Sequence, residues 1–212
     1  MAGSAAVAIW CDVALEAKAE FDDWHAHEHQ PERLSIPGFL RGSRWVSTDG
    51  RNSYFMLYEA QSEATVTTGP YLERLNNPTP WSRKMMAHHG NMMRSLCRVQ
   101  AAFGAGLGRF LLTARFAPAA GEEKKLESWL GAELPSLPAQ KGLMSARFLR
   151  GIPQQGGPTQ EQKLRGGDAT ADWVVLISGY EAAAVAAVAL PGAATRLYEL
   201  ACLMTAADVH RP

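Results

Sequence analysis

Three of the chain's six histidines lie within five positions, at His25, His27 and His29, and Glu28 stands among them. An imidazole changes its charge near neutral pH, so it can act as a general acid or base or bind a metal. A neighbouring carboxylate can orient the ring or serve as a second base. We therefore predict a catalytic site here, with His29 as the acid–base residue, assisted by Glu28 and by His25 or His27.

The spacing of apolar residues predicts a helix over residues 15–29 that carries this site. On an ideal helix, positions three and four apart share a face. This places Phe21, Trp24 and Glu28 together on the face toward the sheet. If Glu28 is buried there, its pKa is expected to rise.

Pro31 predicts where this helix ends. Proline lacks an N–H and disfavours helical backbone at the residue before it, so we expect a break near Gln30 and a short new turn over 31–36. His29 then lies at a helix junction and can turn toward the mouth of a pocket. The structural alternative is that His29 caps the helix end or pairs with Glu32.

A metal or heme site is a weaker interpretation of the histidines. His25 and His29 are four positions apart, which suits two ligands on one helix face, but no HExxH pattern accompanies them. His88 and His89 could supply a heme ligand, although their position before Gly90 favours a surface turn. We predict no cofactor, with heme or a metal ion as the alternative.

Composition excludes several classes of protein. Lys plus Arg and Asp plus Glu both number 21, so there is no electrostatic case for nucleic-acid binding. The apolar runs are too short to cross a membrane. Three dispersed cysteines favour buried thiols over disulfides. We expect a cytoplasmic protein with a packed core and neither nucleic acid nor membrane as partner.

Strands and helices follow the same order in both halves of the chain. In the first half we predict strands at 5–13, 39–48, 53–61 and 91–103, and helices at 15–29 and 66–76. In the second half we predict strands at 109–117, 143–152, 172–181 and 200–209, and helices at 122–134 and, with an interruption, 182–197. Each half therefore has the order β-α-β-β-α-β.

Residue echoes between the halves support a duplication. The Trp-x-x-x-Glu pattern at 24–28 recurs at 129–133, and the run 71–75 corresponds to the run 196–200. Since the second copy of the Trp-x-x-x-Glu pattern has no histidines, Glu28 is open to a second interpretation. It could be a structural acceptor for a backbone or arginine donor.

The join between the halves is rich in glycine, at residues 104–108. We therefore divide the chain into repeat 1 at 1–104, which carries the histidine-rich helix, and repeat 2 at 109–212, which lacks it. The polar segment 153–171 falls between two strands of repeat 2 and predicts a mobile hairpin loop.

A β-α-β-β-α-β half is the ferredoxin-like unit. Its antiparallel sheet carries helices on one face and leaves the other face apolar and uncovered. We predict an α+β fold in which two tandem ferredoxin-like repeats close into a pseudo-dimeric α+β barrel. The space between the two sheets is then expected to be an apolar pocket.

The chain resembles the dimeric α+β barrel superfamily, and within it the EthD-like branch. The residues that carry the resemblance are Trp24, His29-Gln30-Pro31, Pro37-Gly38-Phe39, Arg41, Arg44 and Trp45. The resemblance implies a cytoplasmic protein with a small apolar pocket, in a family that includes monooxygenase-like, isomerase-like and heme-handling members. The family's histidine before a proline maps to His29, and the matching position in repeat 2 is Leu134, so the site is expected once per chain.

Three functions remain open at this point. The leading hypothesis is a small-molecule-binding protein that acts as a cofactor-independent enzyme on a small apolar carbonyl or aromatic compound. The second is a non-catalytic stress-response or ligand-binding protein with structural histidines, and the third is a heme- or metal-dependent monooxygenase-like protein. Self-association is compatible with all three, but the duplication removes the need for it.

Overall fold

The computed structural model describes residues 2–154 and 156–209. Its strands are β1 (Ala5–Val13), β2 (Phe39–Ser47), β3 (Ser53–Ala60), β4 (His89–Gly104), β5 (Phe110–Phe116), β6 (Leu143–Gly151), β7 (Trp173–Gly179) and β8 (Ala194–Thr205). Its α-helices are α1 (Lys18–Trp24), α2 (Gln30–Leu34), α3 (Glu63–Thr67), α4 (Gly69–Asn76), α5 (Pro80–Met86), α6 (Glu123–Glu133), α7 (Gln160–Leu164), α8 (Ala182–Ala186) and α9 (Ala206–Val209). Short 3-10 helices span Leu15–Ala17 and Leu134–Ala139, and a π-helical segment spans His25–His29.

The strands form one closed antiparallel barrel in the order β1-β3-β2-β8-β5-β7-β6-β4. Each half contributes four neighbouring strands in the ferredoxin-like arrangement. The halves are joined at two seams, where β2 pairs with β8 and β4 pairs with β6. The predicted α+β fold of two ferredoxin-like repeats in one barrel is thereby confirmed. None of the described helices has the length and apolar content needed to cross a membrane.

Side chains alternate across the barrel wall, as the period of a strand requires. On β1, Ala6, Ala8 and Trp10 point into the barrel, whereas Val7 and Ile9 belong to the cluster that packs under the helices. Each sheet is therefore buried on both faces.

Aromatic side chains fill the barrel interior. Trp10, Trp45 and Phe55 are buried there, and the Trp10 Nε1 donates across the barrel to Thr113 Oγ1 at 3.2 Å. The apolar pocket expected between the sheets is thus occupied by the protein's own side chains, and that expectation is wrong. The physical reason is size, since two indole rings and a phenyl ring supply the volume that a ligand would need.

Two helical predictions also need correction. The helix expected over 66–76 is divided into α3 and α4, because Thr68 is extended and Pro70 starts the second helix. The following helix α5 was not predicted. Both short helices and α5 cover the outer face of repeat 1.

The alanine-rich stretch after β7 is mostly not helical. Only α8 forms there, and β8 begins at Ala194 rather than at residue 200. Residues of β8 pair with β5 on one side and β2 on the other. These two ladders outweigh the helix propensity of alanine. The proposed correspondence between residues 71–75 and 196–200 is therefore wrong, because the first run is helical and the second lies in a strand.

The segment 153–171 is not a featureless loop. Its described residues include α7, which begins with a capping box between Thr159 and Gln162. The segment crosses from repeat 2 onto the helices of repeat 1, where the Gln160 N–H donates to Asn76 Oδ1 at 3.2 Å. We call this segment the strap. It covers the region in which the histidine-rich helix lies.

Candidate functional site

The histidines lie on a helix that continues past Pro31 instead of breaking there. Between α1 and α2 the backbone widens into a π-helical turn over His25–His29, and the Gln30 N–H donates to the carbonyl of His25, five positions back. A proline ring in a regular α-helix clashes with the carbonyl four residues before it. The wider turn relieves that clash, so the expected break near Gln30 is wrong.

This turn places His25 and His29 above one another, facing the outer side of the sheet. His25 is fully buried, and its Nε2 lies 2.9 Å from the Tyr58 hydroxyl. The His29 ring packs on Trp24 with ring centroids 4.4 Å apart and lies 5.8 Å from the His25 ring. The Nδ1 atoms of both histidines are buried without a hydrogen-bond partner. Neither the expected helix cap nor a pair with Glu32 involves His29 in the described structure.

The other two predicted site residues lie elsewhere. His27 is exposed, and its Nδ1 lies 3.0 Å from the Asp23 carbonyl. Glu28 is half-buried and accepts hydrogen bonds from Thr79 Oγ1 at 2.6 Å and Ser82 Oγ at 3.3 Å. It joins the histidine-rich helix to the start of α5. His25, and not Glu28, lies on the helix face toward the sheet. Glu28 is thus an acceptor, but its donors in these two bonds are side-chain hydroxyls and not the backbone or arginine donor that was expected.

His89 joins the group from the start of β4. Its Nδ1 lies 2.8 Å from the Met85 carbonyl, and its ring contacts Phe21 and Trp24 at centroid distances of 5.5 and 5.9 Å. The expected surface-turn position therefore holds for His88 but is wrong for His89. His89 is the first residue of β4, directly after the turn, and its ring faces Phe21 and Trp24.

Beneath the strap lies a network of buried charges. Glu161 of α7 accepts from Arg33 of α2 in a short buried ion pair and from Arg165 at 3.4 Å. Arg165 also binds Asp168 at 2.8 Å. All four side chains are nearly fully buried, so each guanidinium needs its carboxylate. The network fastens the strap to the histidine-rich helix.

A small cavity separates the strap from the sheet. It has a volume of about 20 Å³, which is enough for roughly one water molecule. Its wall combines apolar, aromatic, imidazole and guanidinium groups. The residues on this wall that matter for chemistry are Trp24, His29, Arg33, Tyr58, Tyr71, His89, Arg94, Glu161 and Arg165.

Burial keeps the imidazoles uncharged. Desolvation, with the positive charge of Arg33 among the smaller causes, places the pKa of His29 and of His25 well below the usual value. Burial lowers the pKa of His89 to about 4. Burial also raises the pKa of the Tyr58 phenol, so a neutral phenol meets a neutral imidazole at His25. At neutral pH the site offers proton acceptors rather than imidazolium ions.

The described residues offer no ready set of ligands for a metal ion. No group of three or more His, Cys, Asp or Glu side chains there is placed to hold a metal ion. His25 and His29 do share a face, as the four-residue spacing predicts, but Trp24 packs against the His29 ring.

The fold has relatives among solved structures. The chain superposes on an anthrone oxidase-like protein with a TM-score of 0.63 and 11% identity, over 96% of this chain and 93% of the other. A candidate monooxygenase from Fusobacterium nucleatum gives a TM-score of 0.60 at 7% identity, over 97% and 96% of the two chains. A second candidate monooxygenase, from Lactobacillus acidophilus, gives 0.58 at 10% identity, over 96% and 97%.

These matches cover whole chains, so the shared feature is the complete barrel. The chain therefore shares its barrel fold with these proteins. At such low identities the likeness establishes the fold and not the reaction. No protein-family model matches the chain, and no curated protein matches its sequence.

Several residues of this site were not found by sequence reasoning. Arg33, Glu161 and Arg165 are common surface residue types at unremarkable spacings, and more than 100 positions separate the first two. One signal was available for Arg33, which lies four positions after His29 and eight after His25, on the same helical face. Nothing local marked Glu161, because its role arises only when the strap crosses to repeat 1.

Proposed function

We propose that the cavity beneath the strap binds a small aromatic or carbonyl compound and that His29 accepts a proton from it, without a resident cofactor. The observation that carries this proposal is the state of His29 itself. Its ring forms part of the cavity wall, and its Nδ1 is buried with no hydrogen-bond partner. An unsatisfied buried polar atom costs free energy, and a ligand with a polar or acidic hydrogen would remove that cost.

The low pKa of His29 restricts the chemistry. A weakly basic imidazole removes a proton only when the resulting anion is well stabilised. A C–H bond between a carbonyl group and aromatic rings meets this requirement, because its anion is delocalised onto oxygen. The guanidinium groups of Arg33, Arg94 and Arg165 line the same cavity and would stabilise the negative oxygen.

The matched solved structures support molecular oxygen as the co-substrate, by analogy of fold alone. With anthrone, transfer of a proton from the methylene carbon to His29 would leave a carbanion that can give its electrons to O2. One oxygen atom would be retained at that carbon and the other released in water. The overall reaction is then anthrone plus O2 to anthraquinone plus water, in which carbon is oxidised and oxygen reduced.

Entry of any such compound requires the strap to move. A cavity with room for about one water molecule cannot hold a ring system as it stands. The strap is fastened by ion pairs and by a capped short helix, and these contacts lie outside the strand pairings that close the barrel. We therefore include strap opening in the proposed binding step.

A non-catalytic binding protein is the second candidate function. It is favoured by the hydrogen bond of His25 to Tyr58 and by the packing of His29 on Trp24, since both are also expected of structural histidines. In that case the cavity would bind the same class of compound and release it unchanged.

Heme is not supported by the packing around His29. Trp24 packs against the His29 ring with centroids 4.4 Å apart and the His29 Nδ1 is buried, so the ring is not open to an axial bond. We derive no step through heme or a metal ion. Membership of the dimeric α+β barrel superfamily, and of its EthD-like branch, is likewise part of this proposal and rests on the residues that carry the resemblance. Cytoplasmic location, the division at 104/109 and the absence of nucleic-acid and membrane partners also remain proposals.

Oxygen consumption with anthrone tests the enzymatic proposal. Wild-type protein is expected to consume O2 and form anthraquinone in equal amounts, faster than buffer alone. His29→Gln should reduce the rate by about 100-fold or more, the usual effect of losing a general base. His27→Gln is the matched control and should leave the rate unchanged, because His27 is exposed and outside the cavity.

The outcomes separate the two candidates. Binding of anthrone without oxygen consumption would support the non-catalytic function. Equal rates in wild type and His29→Gln would remove His29 from the reaction. A Soret band in the purified protein, or stoichiometric metal, would overturn the cofactor-free proposal.

A further inference from the structure

Arg94 differs from every other arginine on the cavity wall. It lies on β4 with only 4% of its surface exposed, and it forms no ion pair with a carboxylate in the described part of the chain. Its guanidinium donates to the Tyr71 hydroxyl at 2.9 Å and to Gln154 Oε1 at 3.2 Å, and it lies over the Tyr71 ring. Its Nε is buried without a partner.

Such an arrangement is costly for the folded protein. A buried guanidinium normally has a carboxylate beside it, as Arg33 and Arg165 have in Glu161. Arg94 instead has two neutral acceptors, which leave its positive charge uncompensated. A residue held in this state is well suited to receive a negative charge from outside the chain.

Arg94 also lies on the wall between two cavities. One is the covered cavity that contains His29, and the other is an adjoining cavity of about 290 Å³ formed where the strap meets β4. The second cavity is close to the lower limit of volumes typical of small-molecule sites. Asp172 is the carboxylate on its wall, and it is exposed to solvent, where its charge is screened.

We propose that Arg94 binds an ionised oxygen on the ligand and that the substrate class is an aromatic compound bearing a carboxylate or a phenolate. This inference rests on the proposed function, because it assigns the ligand of the same site. Gln154 belongs to the strap, so strap opening would free one guanidinium nitrogen for the incoming anion. The freed nitrogen would donate a charge-assisted hydrogen bond to this anion, while the other terminal nitrogen keeps its bond to the Tyr71 hydroxyl. The aromatic ring would then lie toward Trp24 and His29.

Calorimetric titration with matched probes tests this proposal. The probes are 1-naphthoate, its neutral amide 1-naphthamide and 4-nitrophenolate. Wild type should bind the two anions more tightly than the amide. Arg94→Gln should lower the affinity for 1-naphthoate by at least about tenfold, the effect expected for a lost charge-assisted pair. It should change the affinity for 1-naphthamide by less than about threefold. Arg94→Lys should restore part of the loss, because it keeps the positive charge but not the planar guanidinium group.

Arg98→Gln is the matched control. Arg98 lies on the same strand four positions on, but half of its side chain is exposed and it pairs with Glu63 at 3.3 Å. Its replacement should leave all three affinities unchanged. Thermal denaturation of each variant checks folding, and Arg94→Gln is expected to melt no lower than wild type, because an uncompensated buried charge is removed.

The results distinguish this inference from the proposed function. If wild type binds the amide as tightly as the acid, or if Arg94→Gln weakens both equally, anion recognition is overturned while the ligand site stands. If the Arg94→Gln protein melts lower and binds both probes poorly, Arg94 is a structural residue. If no probe binds wild type, both proposals fail together.

Discussion

At the scale of single residues, the site is defined by groups that stay uncharged or unpaired when buried. His25, His29 and His89 lie within one aromatic cluster, and each has a pKa below the ordinary value because burial disfavours the imidazolium form. Three neutral imidazoles do not repel one another, whereas three imidazolium ions would repel one another and Arg33. The protein is therefore expected to be sensitive to acid at this cluster.

The free energy of unfolding should fall as the pH is lowered through 6.5. A histidine whose folded pKa is depressed contributes stability above its unfolded pKa, because the unfolded chain binds the proton first on acidification. The loss should amount to about 1.4 kcal/mol per pH unit for each such histidine, and for His89 it should continue to a pH of about 4. Urea denaturation between pH 7.5 and 4.5 measures this slope.

Two variants identify the source of the slope. His89→Gln should flatten the pH dependence, since its side chain does not titrate. His27→Gln should leave it as in wild type, because His27 is exposed. A wild-type stability that is constant from pH 7.5 to 4.5 would show that the cluster is accessible to water and that these imidazoles are not desolvated.

At the scale of elements, the strap decides whether the histidine-rich helix has a cavity above it at all. Without α7, the outer face of repeat 1 would carry Arg33 toward solvent, and the imidazoles would regain contact with water. The strap enters from the connection between β6 and β7, so repeat 2 closes the site of repeat 1. The two repeats therefore have different roles, although their sheets are alike.

Glu161→Gln should destabilise the folded protein strongly. The substitution removes the carboxylate shared by Arg33 and Arg165 and leaves these two buried charges with only Glu32 and Asp168 as partners. Breaking a buried ion pair from one side typically costs about 3–5 kcal/mol. Guanidinium denaturation measures the loss, with Glu73→Gln as control, because Glu73 is exposed on α4. Losses of equal size in the two variants would show that the network under the strap contributes no stability.

How far the elements could be predicted depends on where the deciding contacts lie. The bounds of β1 follow from its own residues, because the apolar run over 5–13 predicts them. The start of β8 does not, since Ala194 and its neighbours favour a helix by composition and become a strand only between β2 and β5. The strap likewise depends on contacts with helices more than 80 positions earlier.

The candidate site shows the same limit. The cluster of His25, His27 and His29 was visible from residue types and spacing alone. The π-helical turn that selects His25 and His29 was not, because Pro31 is compatible both with a break and with a widened turn. His89 and Arg94 lie on β4, whose pattern shows burial but not the partners that a buried side chain meets.

At the scale of the whole molecule, closure of the barrel makes the two halves one unit. Both edges of each four-stranded sheet are paired with the other half, so neither half keeps an open edge strand. Side chains from both halves also meet in the interior, where Trp10 of β1 donates to Thr113 of β5. Loss of either half would expose two strand edges and an apolar sheet face.

Unfolding should therefore be a single cooperative event, and a destabilising substitution in repeat 2 should also destabilise repeat 1. Leu134 is 1% exposed in the outer cluster of repeat 2, at the position that corresponds to His29. Leu134→Ala should lower the free energy of unfolding by about 2–5 kcal/mol, through lost apolar contacts and the cavity left behind. Amide hydrogen exchange should show the same loss in the slowest amides of β3 as in those of β7, because both exchange only when the barrel opens. Leu15→Ala is the control, since Leu15 is 77% exposed and should leave protection unchanged in both strands. Reduced protection in β7 with full protection in β3 would mean that repeat 1 survives the opening of repeat 2.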